Sequence, residues 1–224
     1  MVPRRAWYTD AVGAKFLDEE ARDAFKQAVE TIENASAVEV VVAVRRRSDR
    51  YVHANAIFGA LVAFAGLATM LFASAEFGLT SILVDPFVLG IGAGALVELL
   101  PVIKRVLTPA TWRREHVERA ARATFVDRGV HNTTERSGVL VYISWLEQQV
   151  ALIPDSGLAR TLAPEAILEA EATLTAAMRR GGAAVARALG GLATQLGAAM
   201  PRREGDVNEL PDAIDSDLER RRTR

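Results

Sequence analysis

Val38–Phe64 reads VEVVVAVRRRSDRYVHANAIFGALVAF. Val38 to Val44 shows hardly any polar alternation, which predicts a strand covered on both faces. Arg45, Arg46, Arg47 and Arg50 follow it, and then a long apolar run begins. One strand cannot bury itself, so the rest of its sheet must lie beyond that run. The fold therefore depends on what the run is and where the chain comes back.

Ala54 to Ala75 holds no charge over 22 residues, long enough to cross a hydrocarbon core as a helix. Pro86 to Ile103 is a second apolar run of about 18 residues, interrupted by Glu98 and Pro101. A chain of 224 residues has little material to enclose two helices that are apolar all round. The expectation is a transmembrane hairpin with a connecting loop from about Glu76 to Asp85. That loop has two acids and no Lys or Arg, whereas Lys104, Arg105, Arg113 and Arg114 follow the second run. The positive-inside rule then puts the loop outside and both termini in the cytoplasm, in a cytoplasmic (inner) membrane. The first 50 residues contain no apolar segment ending in small residues, so no cleavable signal peptide is expected.

Within the runs, Gly59 with Ala63 and Gly90 with Gly94 have the spacing that lets two spanning helices approach. Glu98 is the intramembrane acid. It lies near the cytoplasmic end, where snorkelling or pairing with Lys104 or Arg105 suits it better than proton relay. Gly90, Gly92 and Gly94 mimic a dinucleotide loop, but the spacing is wrong and the segment is not a strand-to-helix turn.

The flanks supply the remaining elements. Asp18 caps a helix of about 17 residues, with Glu19 and Glu20 in its first turn and Ala21, Phe25, Ala28, Val29 and Ile32 on one face. Beyond the hairpin, Thr108 and Pro109 predict a helix start, with Leu107 stapled against Trp112. Val117, Ala121, Thr124 and Phe125 form its apolar face, and Gly129 ends it. Gly138–Ser144 and Gln149–Pro154 read as a β-hairpin around Trp145–Gln148. Pro164 opens a helix with Ile167, Leu168, Leu174 and Met178 inward. A last helix from about Ala183 to Met200 carries Val185, Leu189, Leu192 and Leu196 on one stripe, and Arg187 rules out a third span.

The expected fold class is α/β. It is a discontinuous small α/β sandwich with a mixed sheet of about three to four strands covered by helices. Residues 15–50 plus 108–200 would form this domain, and a two-helix transmembrane hairpin over residues 51–106 would interrupt it. Residues 1–14 are expected to be a flexible N-terminus. Residues 201–224 are expected to be a disordered, solvated charged tail, with contact of its final arginines with anionic lipid as the less favoured alternative. A net charge of −1 gives no field for nucleic acid, and the absence of cysteine removes disulfides, thiolates and Cys-based zinc sites.

Phe125–Leu158, FVDRGVHNTTERSGVLVYISWLEQQVALIPDSGL, resembles the middle of the TPM domain of thylakoid-lumen phosphatase-like proteins and many bacterial membrane proteins. The matching features are Thr133 or Thr134 before Arg136, a strand from Gly138, and a second strand ending in Asp155-Ser156-Gly157-Leu158. Asn208–Asp212 resembles the close of a bacterial membrane subgroup, and the first helix and strand fit the domain's opening. The resemblance covers the chain outside the hairpin and implies a compact α/β sandwich. It also implies acid phosphatase activity in some members and calcium in some. This chain departs from the family by its internal hairpin.

A metal-dependent phosphatase clusters carboxylates around a hard cation that neutralises phosphate and activates water. The acids near the strand ends are Asp127, Glu135, Glu147 and Asp155, of which Asp155 and Glu147 are the metal candidates. Asp155 before Ser156-Gly157 is equally good turn chemistry. Thr133, Thr134 and Arg136 are candidates for holding a phosphate-like anion. His53, His116 and His131 show no metal-ligand spacing, and no nucleophile or nucleotide motif occurs, so no catalytic residue is assigned. The expected function is a membrane-tethered, non-catalytic module that binds or helps assemble a membrane complex. The alternative is a TPM-type phosphatase or hydrolase. Expected partners are the lipid bilayer, with Arg45, Arg46, Arg47, Arg50, Lys104 and Arg105 setting topology, and a membrane-protein partner or a second copy; nucleic acid is not expected.

Overall fold

The computed structural model describes residues 15–202, 208–210 and 213–218. The segment expected to be a flexible N-terminus and the final arginines lie outside them. In chain order the elements are α1 (Glu19–Ala35), β1 (Glu39–Arg45), α2 (Val52–Phe72), α3 (Leu79–Leu96), α4 (Pro101–Leu107) and α5 (Ala110–Asp127). They continue with β2 (Gly138–Ser144), β3 (Gln149–Pro154), α6 (Ser156–Ala159), α7 (Pro164–Ala177), α8 (Gly182–Gly190), α9 (Ala193–Ala199) and β4 (Asp215–Ser216). The chain divides into two compact units, Met1–Ser48 with Arg114–Arg224, and Asp49–Arg113.

In the first unit Asp18 accepts the Ala21 N–H at 2.9 Å, and Glu19 and Glu20 complement the positive end of the α1 dipole. The five apolar residues read from the spacing are the ones α1 buries. Ser36 ends the helix: its hydroxyl donates to the Ile32 carbonyl and accepts the Val38 N–H. β1 follows at once. It runs parallel to β2 in unbroken register, from Glu39 opposite Gly138 to Arg45 opposite Ser144. A parallel pair cannot be joined by a tight turn and needs a long crossover. The second unit is inserted in that crossover, which explains why the strand at Val38–Phe64 runs into an apolar segment.

β2 pairs antiparallel with β3 through the Trp145–Gln148 turn, where Gln148 takes φ 54°. The sheet order is β3-β2-β1-β4, so the fold is α/β with a four-stranded mixed sheet. Val41, Ala43, Leu140, Tyr142 and Ala151 face Val117 and Ala121 of α5. The alternate residues Val40, Val139, Val141 and Leu152 face Leu158, Ile167, Leu189 and Leu196. Strand alternation thus gives β1 and β2 a helical cover on each side. Each fully buried Val or Leu there contributes roughly 1.5–3 kcal/mol.

Three expectations are corrected in this unit. Residues 201–224 are not wholly a disordered tail, because Asp215–Ser216 forms a fourth strand beside β1 and Leu218 is buried. Leu168 is not inward but exposed, while Glu171 on α7 is buried. The physical reason lies at the sheet edge: among the described residues β3 has no strand on its outer side, so its outward N–H groups need acceptors. Glu171 Oε1 accepts from Leu152 at 2.9 Å and Thr175 Oγ1 accepts from Val150 at 3.1 Å. Arg114 holds the other Glu171 oxygen at 2.8 Å; burial opposes its charge, but Glu118 and Glu171 outweigh that and raise its pKa. The last helix is two, α8 and α9, parted at Gly191–Leu192. A Cβ on Gly182 would stand 2.0 Å from the Phe16 carbonyl oxygen, so this glycine marks a backbone contact.

In the second unit, Val52–Phe72 and Leu79–Leu99 are each 21 residues long and each contains an 18-residue stretch of mean hydropathy 1.9. At 1.5 Å per residue each reaches about 31 Å, the thickness of a hydrocarbon core. Leu61, Phe64, Phe72, Leu79 and Ile91 are exposed. The chain therefore has two helices long and apolar enough to cross a membrane. The second begins at Leu79, not Pro86, so the connection shortens to Ala73–Gly78 and Asp85 falls inside α3. Leu79–Val84 continue the apolar pattern, and the missing Pro86 N–H is a cost spanning helices tolerate. α2 and α3 meet backbone to backbone: a Cβ on Gly59 would lie 2.6 Å from the Gly90 carbonyl oxygen. One on Gly94 would lie 2.9 Å from that of Asn55. The small-residue spacing is therefore a packing seam.

Candidate functional site

At the carboxyl ends of β1 and β2 a buried polar cluster surrounds Glu147, which is 1% exposed. Its Oε1 accepts the Ser48 N–H at 2.9 Å, and Oε2 accepts the Ser144 hydroxyl. The Ser48 and Ser144 hydroxyls are 2.8 Å apart, and the Tyr142 hydroxyl lies 3.3 Å from that of Ser48. Burial raises the Tyr142 pKa and the Glu147 charge adds to this, with the Ser48 hydrogen bond opposing. The cluster fastens the chain leaving β1 to the β2–β3 turn.

Beside it, Arg45 and Arg128 both engage the Asp215 carboxylate, and Arg45 also donates to the Asp215 carbonyl at 2.9 Å. The Arg46 N–H donates to Asp217 Oδ1 at 2.7 Å. Arg45, Thr124, Asp127, Arg128 and Asp217 line a shallow cleft of about 510 Å³. Arg45, assigned from the sequence to topology, is thus held by Asp215.

The other candidates gather at the opposite end of β2. Asp155 caps α6 by accepting the Ser156 N–H at 2.6 Å, and its own N–H donates to the Gly138 carbonyl at 2.8 Å. Asp155 is 7% exposed, and its Oδ2 has no hydrogen-bond partner among the described residues; Arg136 Nη1 stands 3.9 Å away. Arg136, at φ 55°, donates instead to the His131 carbonyl at 2.8 Å. Thr133 Oγ1 accepts the Ser137 N–H at 3.0 Å. Thr134 holds Glu209 of the C-terminal segment through its N–H at 2.8 Å and its hydroxyl at 2.7 Å. Thr133, Thr134 and Arg136 therefore do not converge on one anion position. Asp155 and Glu147 lie beyond opposite ends of the sheet, roughly 20 Å apart by strand rise, and cannot share one ion. Among the described residues no group of three or more His, Asp or Glu side chains is arranged to hold a metal.

Both Thr134 hydrogen bonds hold the Glu209 pKa below the ordinary glutamate value. A carboxyl depressed in the folded state adds stability above its ordinary value and loses it as pH falls through the depressed one. Acidification below about pH 4 is therefore expected to loosen Glu209 from Thr134 and shift the Thr134 amide resonance, a transition absent in Glu209→Gln.

In the hairpin unit Glu98 pairs with Lys104 at 2.8 Å and accepts from Asn55 Nδ2 at 2.9 Å. Lys104 is buried and also donates to the Arg50 carbonyl at 3.4 Å. Arg47 and Arg50 are exposed, and Arg46 and Arg105 are half-buried. His53 Nε2 lies 3.1 Å from Thr108 Oγ1, and its ring meets Trp112 edge-on. α5 begins at Ala110, one residue after Pro109. Sequence reasoning missed Ser48, Ser144, Tyr142, Arg128, Glu171, Asp215 and Asp217. A hydroxyl ending an otherwise apolar strand was the visible signal for Ser144, whereas Ser48 lies beyond three arginines and gave none.

No family model matches this chain, and no curated protein matches it in sequence. The NMR structure of BA42 protein from the psychrophilic bacterium Bizionia argentinensis aligns with a TM-score of 0.54, over 90% of this chain and 95% of BA42. The identity is 14%, so the likeness is one of fold.

Proposed function

We propose that this chain is an integral protein of a bacterial inner membrane, with α2 and α3 crossing the bilayer as a hairpin. The α/β domain and both termini then lie in the cytoplasm, and the domain is a non-catalytic module that binds or helps assemble a membrane-protein complex. The observation that carries this reading is the pair of 21-residue apolar helices inserted in the β1–β2 crossover. The charge pattern supports the orientation: basic residues flank the pair, and Ala73–Gly78 contains none. The satisfied carboxylates support the non-catalytic part. Glu147, Glu171 and Glu209 are all engaged by main-chain N–H groups.

The competing reading is a TPM-type, metal-assisted phosphatase. Asp155 Oδ2, buried without a hydrogen bond, is the one observation that favours it. Two experiments decide. In intact cells Ser74→Cys should react with an impermeant thiol reagent and Ser156→Cys should not; the reverse labelling overturns the orientation. The purified chain should show no turnover of p-nitrophenyl phosphate with or without calcium, and cross-linking should retain a membrane protein. Turnover that Asp155→Asn abolishes would overturn the non-catalytic reading.

A further inference from the structure

The two edges of the sheet are closed in different ways. The outer edge of β3 is sealed by Glu171 and Thr175, which belong to a helix packed on the core. The outer edge of β1 pairs with β4 at Ala43 and Val44, and nearer its start the Val40 N–H donates to Glu33 Oε1 of α1 at 3.4 Å. What holds β4 there is mainly polar. The Asp217 N–H donates to the Val44 carbonyl at 3.2 Å, and the Arg46 N–H to Asp217 Oδ1 at 2.7 Å. Arg45 and Arg128 grip the Asp215 carboxylate, whose side chain is 10% exposed. Leu218 is the buried apolar anchor of the segment.

We propose that the outer edge of β1 is an acceptor for an extended acidic segment of a partner protein, and that Asp215–Leu218 occupies it in cis as a displaceable stand-in. The inference rests on the reading of the domain as a binding module and names the surface and chemistry of its docking. Strand addition draws affinity from main-chain hydrogen bonds and specificity from side chains at alternate positions. Here the alternate positions are Asp215 and Asp217, two apart and therefore on the same side of a strand. One carboxylate is read by two guanidiniums, the other by a backbone N–H at the end of β1. A neutral or basic segment would leave Arg45 and Arg128 unpaired, which discriminates against it. A small anion could satisfy the arginines but would not replace the Asp217 N–H, the main-chain donor that shares the Val44 carbonyl with Arg45 Nη1. The strand itself is two residues long, so its cis advantage is largely that of effective concentration, on the order of millimolar.

The test uses the full chain in detergent micelles and a fluorescent peptide, DAIDSDL, of the Asp212–Leu218 sequence. Fluorescence anisotropy should show at least tenfold tighter binding to Asp215→Ala/Asp217→Ala than to the wild type. Adding Arg45→Ala and Arg128→Ala should remove that gain, and a peptide with Asn for each Asp should not bind. No gain in the opened variant overturns the proposal, as does displacement of the peptide by inorganic phosphate at equal concentration. Should the variants fold poorly, hydrogen exchange on the wild type decides. The Arg46 and Asp217 amides should exchange at least a hundredfold faster than Val141. Exchange as slow as at Val141 means a permanent strand. A co-purified partner without any peptide gain sinks this acceptor edge alone, whereas Asp155-dependent turnover sinks the non-catalytic reading and leaves peptide binding untouched.

Discussion

Glu147→Ala is expected to lower the unfolding free energy by about 2–4 kcal/mol, while Glu147→Gln costs less than about 1 kcal/mol. Alanine relieves the burial of a carboxylate, which works in its favour. It also orphans the Ser48 N–H and the Ser144 hydroxyl in a site that is 1% exposed, and it leaves a cavity. The orphaned donors and the cavity outweigh the relief, because an unsatisfied buried donor keeps its full desolvation cost. Glutamine nearly preserves the shape, its carbonyl can accept the Ser48 N–H, and the Ser144 hydroxyl can turn to accept from its amide. Urea unfolding followed by tryptophan fluorescence measures both variants. Equal losses for Ala and Gln would mean that the charge itself is needed, which would restore a metal-ligand role for Glu147.

Gly90→Leu is expected to separate α2 from α3. A Cβ at Gly90 would lie 2.7 Å from the Gly59 carbonyl oxygen and 2.8 Å from the Ala63 Cβ, so backbone has to move, not merely a side-chain tip. Overpacking of this kind costs about 1–3 kcal/mol. In lipid no hydrophobic drive between the helices compensates, because their association rests on close packing. The readout is a disulfide between Gly66→Cys and Leu89→Cys, since a Cβ at Gly66 stands 3.5 Å from Leu89 Cδ1. It should form in an otherwise wild-type chain and be largely lost with Gly90→Leu. Gly92→Leu is the control, because a Cβ there meets nothing within 4 Å. Equal cross-linking in all three chains would show that the glycine seam does not hold the hairpin.

Helix α1, strands β1 to β3 and both long apolar helices were legible because each is a local pattern. An acid caps a 3.6-residue period, valines run without alternation, or a stretch of helix length is almost wholly apolar. Placement of the site candidates was not legible. Thr133, Thr134, Arg136 and Asp155 gather at one end of β2 and Glu147 lies at the other, although all five fall within 23 residues of sequence. A strand carries its two ends roughly 20 Å apart, so nearness in sequence does not bring these residues together.

By itself, the sequence determined that a strand and an apolar hairpin adjoin, and that the strand must be completed downstream. Burial demands are the reason: a single apolar-rich strand of seven residues cannot bury itself. Tertiary structure alone decided that β1 and β2 are parallel, so that the hairpin occupies their crossover. It decided that Glu171, a polar residue on a helix, faces inward to close an edge strand. It also decided that Asp215 and Ser216, polar and without periodicity, become a strand at all. These outcomes depend on unpaired backbone donors and acceptors at the sheet edges, and which groups are left unpaired is known only once the sheet has formed.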